Sequence, residues 1–200
     1  MQSLKDFKFK MTITNILIVF LIAIFLLQII FGINATIFSF GLNGRYVFGL
    51  HEYWRLFTSA FLHASLFHLL MNCYFIYIIG TKVEEILGTP RYLALLVCTI
   101  FFSSFAVALM DINRMSMQFT IGISGFGYGL VGLITSFALL YPNRYYKPLA
   151  LSLISNLVFY TLIFVFLSDA NISWIGHLGG FIGGLVTGGI LNTFFHLDEW

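Results

Sequence analysis

Two residues in this chain stand out for what they could do chemically: Ser124 and His177, each near the start of a long apolar run. A serine hydroxyl becomes a nucleophile when a base lies within hydrogen-bond reach. His177 is the histidine on the run best suited to pack against that of Ser124. His68 and Asn72 accompany them, four apart and so on one helical face. His63, five before His68, is turned about 140° from it by the 3.6-residue period, which assigns it to a loop or a helix start. The chemistry open to such a set is acyl transfer. Ser124 would attack a carbonyl and His177 would take and return the proton. The oxyanion would be met by the His68 and Asn72 side chains and by the backbone N–H of Ser124 at the positive end of its helix. No Asp or Glu falls at this depth, so the expected arrangement is a dyad without an orienting carboxylate. Tyr128, one turn after Ser124, is the expected neighbour of the imidazole.

The elements that must hold these groups are membrane spans. The chain has 200 residues, 60% hydrophobic and 9% charged, with the apolar residues in unbroken runs. No soluble domain of this length could hide that much apolar surface. Crossing a hydrocarbon core of about 30 Å takes roughly 20 apolar residues per helix. Six stretches qualify: 11–31, 61–80, 92–110, 123–141, 148–167 and 172–195. The expected fold is therefore all-α and polytopic, with six transmembrane helices in one domain over 1–200. The first run is too long for a signal peptide and no A-x-A-like site follows it, so it reads as an uncleaved span. The connection 32–60, rich in glycine and aromatic residues, is expected outside the membrane, in the headgroup region.

Charge orients the chain. Lys5, Lys8, Lys10, Lys82, Arg91, Arg144 and Lys147 fall on one side of the alternating runs, and Arg45, Arg55 and Arg114 on the other. By the positive-inside rule both termini are then cytoplasmic. A net charge of +2 gives no argument for nucleic acid. Cys73 and Cys98 lie within spans and read as packing residues. The histidines lack a carboxylate-supported ligand cluster, so neither a metal nor another cofactor is expected.

Under this topology spans two, four and six run from outside to inside. At about 1.5 Å per residue, Ser124 and His177 lie within roughly 10 Å of the outer surface, with His68 level and Asn72 slightly deeper. A polar residue inside a span is costly and marks a functional candidate. Any one of these alone has a packing explanation; their convergence at one depth points to a site. His177, Gly180, Gly184 and Gly188 share a face of span six, while span four carries Gly125, Gly127, Gly129 and Gly132. Small residues let helix backbones approach closely in lipid, so these two spans are the expected tight pair. Span five is bulky and has no glycine. Looser packing is expected there, and with it a gate for a substrate arriving laterally.

A longer pattern joins these residues: Trp54-Arg55, then His63-Ala-Ser-Leu-Phe-His68-Leu-Leu-Met-Asn72, then Gly80-Thr-Lys-Val-Glu84 on to Gly88. It continues with Gly122-Ile-Ser124-Gly125 and Tyr128, and ends on His177-Leu-Gly-Gly180 with Gly184. In this ordered set, from Trp54 to Gly184, the chain resembles the rhomboid intramembrane proteases. The resemblance implies a six-helix core close to the minimal form, with a Ser124/His177 dyad opening outward. It implies an oxyanion site of His68, Asn72 and the backbone around Gly122 to Ser124, and structural roles for His63 and Arg55. Gly176 stands where relatives often have alanine.

The substrate so implied is a transmembrane segment of another, single-pass protein, cut near its outer end after local unwinding, since a helical carbonyl is already hydrogen-bonded. The expected setting is the lipid bilayer of a bacterial plasma membrane. A catalytically silent rhomboid-like protein that binds client helices is the alternative, and the presence of both Ser124 and His177 argues against it. A channel or transporter is disfavoured because the inner halves of the spans are apolar.

Overall fold

The computed structural model describes residues 11–112, 118–141, 145–167 and 173–195. Along the chain run α1 (Ile13–Phe31), α2 (Ile33–Phe40), α3 (Gly44–Gly49) and α4 (Arg55–Thr58), the last ending in a 3₁₀ turn, Ser59–Phe61. Then come α5 (Leu66–Phe75), a π-helical stretch (Ile76–Gly80) and α6 (Thr81–Leu87), which form one continuous rod. The chain closes with α7 (Thr89–Asp111), α8 (Ser124–Leu140), α9 (Tyr146–Leu167) and α10 (Trp174–Phe195). Among the described residues the only strand-like pairing is an isolated bridge between Leu42 and Thr120. The fold is all-α, a polytopic membrane bundle.

Five helical rods are long and apolar enough to cross a bilayer: Ile13–Phe31, Leu66–Leu87, Thr89–Asp111, Tyr146–Leu167 and Trp174–Phe194. The apolar α8 has 17 residues, about 25 Å at helical rise, and lies among them. The second rod corrects the expected 61–80. It starts five residues later because Ser65 caps it, the hydroxyl accepting the His68 N–H at 3.2 Å. It runs seven residues further because Glu84, which seems to end the apolar run, is buried and paired. Its carboxylate accepts the backbone N–H groups of Ile13 and Thr14 at 2.8 and 2.9 Å and the Thr14 hydroxyl at 2.7 Å. The start of α1 is thus capped by the end of α6. Lys5, Lys8, Lys10, Arg114 and Arg144, which carried much of the orientation argument, lie outside the described residues.

The connection 32–60 is largely helical and is organised by Arg55. Its buried guanidinium donates to the Phe38 and Gly41 carbonyls at 3.0 and 2.7 Å and pairs with Glu52. It also lies 4.6 Å from the centre of the Tyr46 ring. Gln28, buried in α1, reaches the far end of this region. Its amide oxygen accepts the His63 N–H at 2.9 Å and its amide nitrogen donates to Thr36 at 3.3 Å.

At the centre α10 packs against α7 and α8 on two glycine faces. A methyl group at Gly180 or Gly184 would fall on the carbonyl of Gly125 or Gly129 in α8, so those backbones touch with no side chain between them. Gly179 lies against the Phe102 carbonyl and the Ala106 methyl of α7, and Gly183 against the Phe102 side chain. Of the long rods α10 is the most buried, at 44%, and α9 the least, at 17%.

Candidate active site

Ser124 is the first residue of α8. It follows Gly122, whose φ of +105° is open to glycine and strained for any other residue. This turn sets the hydroxyl at the mouth of the helix rather than along its side. No side chain caps α8. The Ser124 N–H has no partner among the described residues, as befits one of the first donors of a helix.

His177 lies in the first turn of α10, one turn before Gly180. Contact between the Gly180 and Gly125 backbones brings the histidine alongside the start of α8. The outcome is a hydrogen bond of 2.8 Å between Ser124 Oγ and His177 Nε2. The imidazole stacks on the Tyr128 ring with centroids 4.0 Å apart and planes 13° from parallel. Its Nδ1 is buried and has no partner among the described residues. Among the described residues no carboxylate orients this ring; it is held by stacking on Tyr128 and by Ser124. The Tyr128 hydroxyl lies 2.6 Å from Thr161 Oγ1 on α9.

His68 and Asn72 converge on the far side of Gly122. A β-carbon built there would meet His68 Cε1 and Nε2 at 2.7 Å and stand 3.6 Å from Asn72 Nδ2. The missing side chain thus leaves a small space beside Ser124, bordered by His68 Nε2 and Asn72 Nδ2. The buried Asn72 Nδ2 donates to nothing among the described residues. A buried amide without a partner is costly, and a ligand oxygen in that space would satisfy it. All these residues line one cavity of about 610 Å³, which α9 also borders through Leu157, Tyr160, Thr161 and Phe164.

Two readings of the sequence require correction. The Gly122 N–H is already donated to the Ser59 carbonyl at 3.0 Å, so in the oxyanion set this residue offers its conformation and its lack of a side chain, not a free donor. His63 stands in the loop before α5, as expected, but it is not turned away from His68: the 3.6-residue period does not apply there, and its ring packs edge-on to His68 at 4.9 Å. Trp54 is exposed, and neither it nor Arg55 borders the cavity; Gly125, Gly180 and Gly184 act through backbone contact. Sequence reasoning assigned no role to Glu84, which it named only within a longer pattern, or to Gln28, Ser59 and Thr161. The first two carried a signal, an acid and an amide within apolar runs, whereas Ser59 and Thr161 look like ordinary small polar residues.

The Rhomboid domain family matches residues 50–194. Rhomboid protease GluP of Bacillus subtilis (strain 168) is 29% identical over 186 residues, 92% of this chain and 35% of that protein. RHOMBOID-like protein 1 of Arabidopsis thaliana is 32% identical over 151 residues, 72% of this chain and 35% of that one. Rhomboid-like protease 3 of Toxoplasma gondii is 28% identical over 139 residues, 69% and 51% of the two chains. The chain spans between about a third and a half of the length of these relatives.

Proposed function

This multi-pass membrane protein belongs to the rhomboid family, and from that premise we propose that it is a serine endopeptidase cutting transmembrane segments of other membrane proteins near their outer ends. The observation that carries the reading is the 2.8 Å contact between Ser124 Oγ and His177 Nε2. For Nε2 to accept the hydroxyl, the resting imidazole carries its proton on Nδ1. As Oγ bonds to the scissile carbonyl carbon, the hydroxyl proton passes to Nε2. The carbonyl oxygen becomes an oxyanion facing the Ser124 N–H, Asn72 Nδ2 and His68 Nε2. Collapse of the intermediate breaks the C–N bond, and His177 returns the proton to the departing amine. Water then attacks the acyl-enzyme with His177 again as base, releasing the acid and restoring Ser124. Each missing oxyanion donor is worth about 10²- to 10³-fold in rate.

A helical substrate must unwind to offer its carbonyl, because helical carbonyls are already bonded and shielded. Segments with small or helix-weakening residues suit this best. We place the way in between α5 and α9. Their seam is bordered by ring contacts, Phe67 with Phe164 at 6.0 Å and Tyr74 with Tyr160 at 5.5 Å, and rings can swing aside where packed backbones cannot. The distribution of basic residues along the sequence supports an orientation with the site toward the outer face.

Incubating the purified protein and its Ser124→Ala variant with a labelled single-pass helix tests the function. Cleavage by the first alone is expected, and equal cleavage by both would remove Ser124 from the mechanism. A helix that binds both and is cut by neither would favour the silent, client-binding reading.

A further inference from the structure

Thr161 belongs to a helix that contributes nothing to the dyad, yet its hydroxyl is tied to the residue that holds the base. Hydrogen counting fixes the direction of that tie. Thr161 Oγ1 lies 2.7 Å from the Leu157 carbonyl one turn earlier, and a carbonyl can only accept. The single Thr161 hydrogen is therefore spent within α9. At 2.6 Å the remaining contact must run from the Tyr128 hydroxyl to Thr161 Oγ1. The phenol of Tyr128 is thus held at both ends, by its own backbone in α8 and by α9 at the hydroxyl. Its ring is the surface on which the His177 imidazole lies.

We infer that Thr161 is a positioning residue of the dyad, making the alignment of His177 conditional on α9 being seated against α8. The inference rests on the proposed Ser124/His177 chemistry and extends it. Three observations support it together. His177 Nδ1 has no partner among the described residues, so the ring depends on stacking and on Ser124 for its orientation. The stacking ring depends on Thr161 for its outer contact. The helix bearing Thr161 is the least buried of the long rods and borders the seam proposed for substrate. A displacement of α9 releases the Tyr128 hydroxyl, the ring gains freedom about χ1, and the imidazole loses its platform. When α9 returns, the platform is rebuilt.

The test uses the full chain in proteoliposomes, with Thr161→Val, which keeps the shape and removes the acceptor, and Thr161→Ser, which keeps the acceptor. Labelling of Ser124 by a small fluorophosphonate reports the dyad without a helical substrate. Thr161→Val is expected to slow labelling by about tenfold, the scale of a modest misplacement of a catalytic group, and to shift the pH at which labelling is half-maximal. The kcat for a helical substrate falls with it while KM stays near its original value. Thr161→Ser restores most of the rate, and in a Tyr128→Phe background Thr161→Val has no further effect. A Thr161→Val variant that labels at the original rate with the original pH profile overturns the inference, as does an effect that multiplies with that of Tyr128→Phe. Both results leave the protease assignment standing. An unreactive Ser124 in the unmodified chain would overturn the two together.

Discussion

Glu84 at the end of α6 and Thr14 at the start of α1 share three hydrogens' worth of capping: the carboxylate takes the N–H groups of Ile13 and Thr14 and the Thr14 hydroxyl. The Tyr92 hydroxyl, 2.9 Å from that of Thr14, closes the cluster from α7. Replacing Glu84 with Gln removes the charge and turns an amide N–H₂ toward groups that are themselves donors. This substitution should destabilise the protein by about 1–3 kcal/mol, read as a lower midpoint in thermal unfolding. Fluorophosphonate labelling of Ser124 per folded molecule should be unchanged, and a loss of labelling without a loss of stability would contradict a purely structural role.

The contacts between α8 and α10 give a graded prediction. Gly180→Ala and Gly184→Ala place a methyl on a backbone carbonyl, which only separation of the helices relieves. Each should cost about 1–3 kcal/mol or more, and Gly180→Ala should also weaken labelling because it lies one turn from His177. Gly189→Ala meets no atom within 4 Å and should be neutral in both unfolding and labelling. If all three behave alike, backbone proximity is not what the glycines provide.

At the oxyanion space, Asn72→Ala removes a donor that has no other use. The kcat should fall by about 10²- to 10³-fold with little change in KM, because the lost contact forms only as charge develops. Gly122→Ala should be more damaging, since its φ is unfavourable for alanine and its methyl would enter the His68 imidazole. An Asn72→Ala variant that raises KM and leaves kcat intact would assign the amide to ground-state binding.

The seam between α5 and α9 can be closed chemically. Cysteines at Phe67 and Phe164, introduced after Cys73 and Cys98 are replaced by Ala and joined by a short reducible bifunctional thiol crosslinker, should stop cleavage of a helical substrate. Labelling by the small probe should persist, and reductant should restore cleavage. Undiminished turnover in the crosslinked protein would place the way in elsewhere.

What the sequence made legible follows the range of the forces involved. The apolar runs disclose the rods because the bilayer acts on every residue alike. The nearness of Ser124 and His177 could be read because both ride on glycine faces whose spacing repeats every turn. Contacts between distant segments were opaque. Nothing near Glu84 announces that its partner is the start of α1, so the second rod looked shorter than it is. Gln28 likewise meets His63 across 35 positions. His63 stands before the helix as expected, but its direction was misjudged for a more local reason, the application of helical geometry to residues that Ser65 keeps out of the helix. Thr161 carries no signal in sequence, being one hydroxyl among several on a lipid-facing rod.

Between α8 and α10 main chain rests on main chain, so no rotamer can change the separation of the two helices. The backbones carrying Ser124 and His177 are therefore mounted on a part with few soft coordinates, while the proposed way in is bordered by rings that can swing. Changes in temperature or bilayer thickness should accordingly act first at the α5–α9 seam, and reach His177 only through the contact between Tyr128 and Thr161.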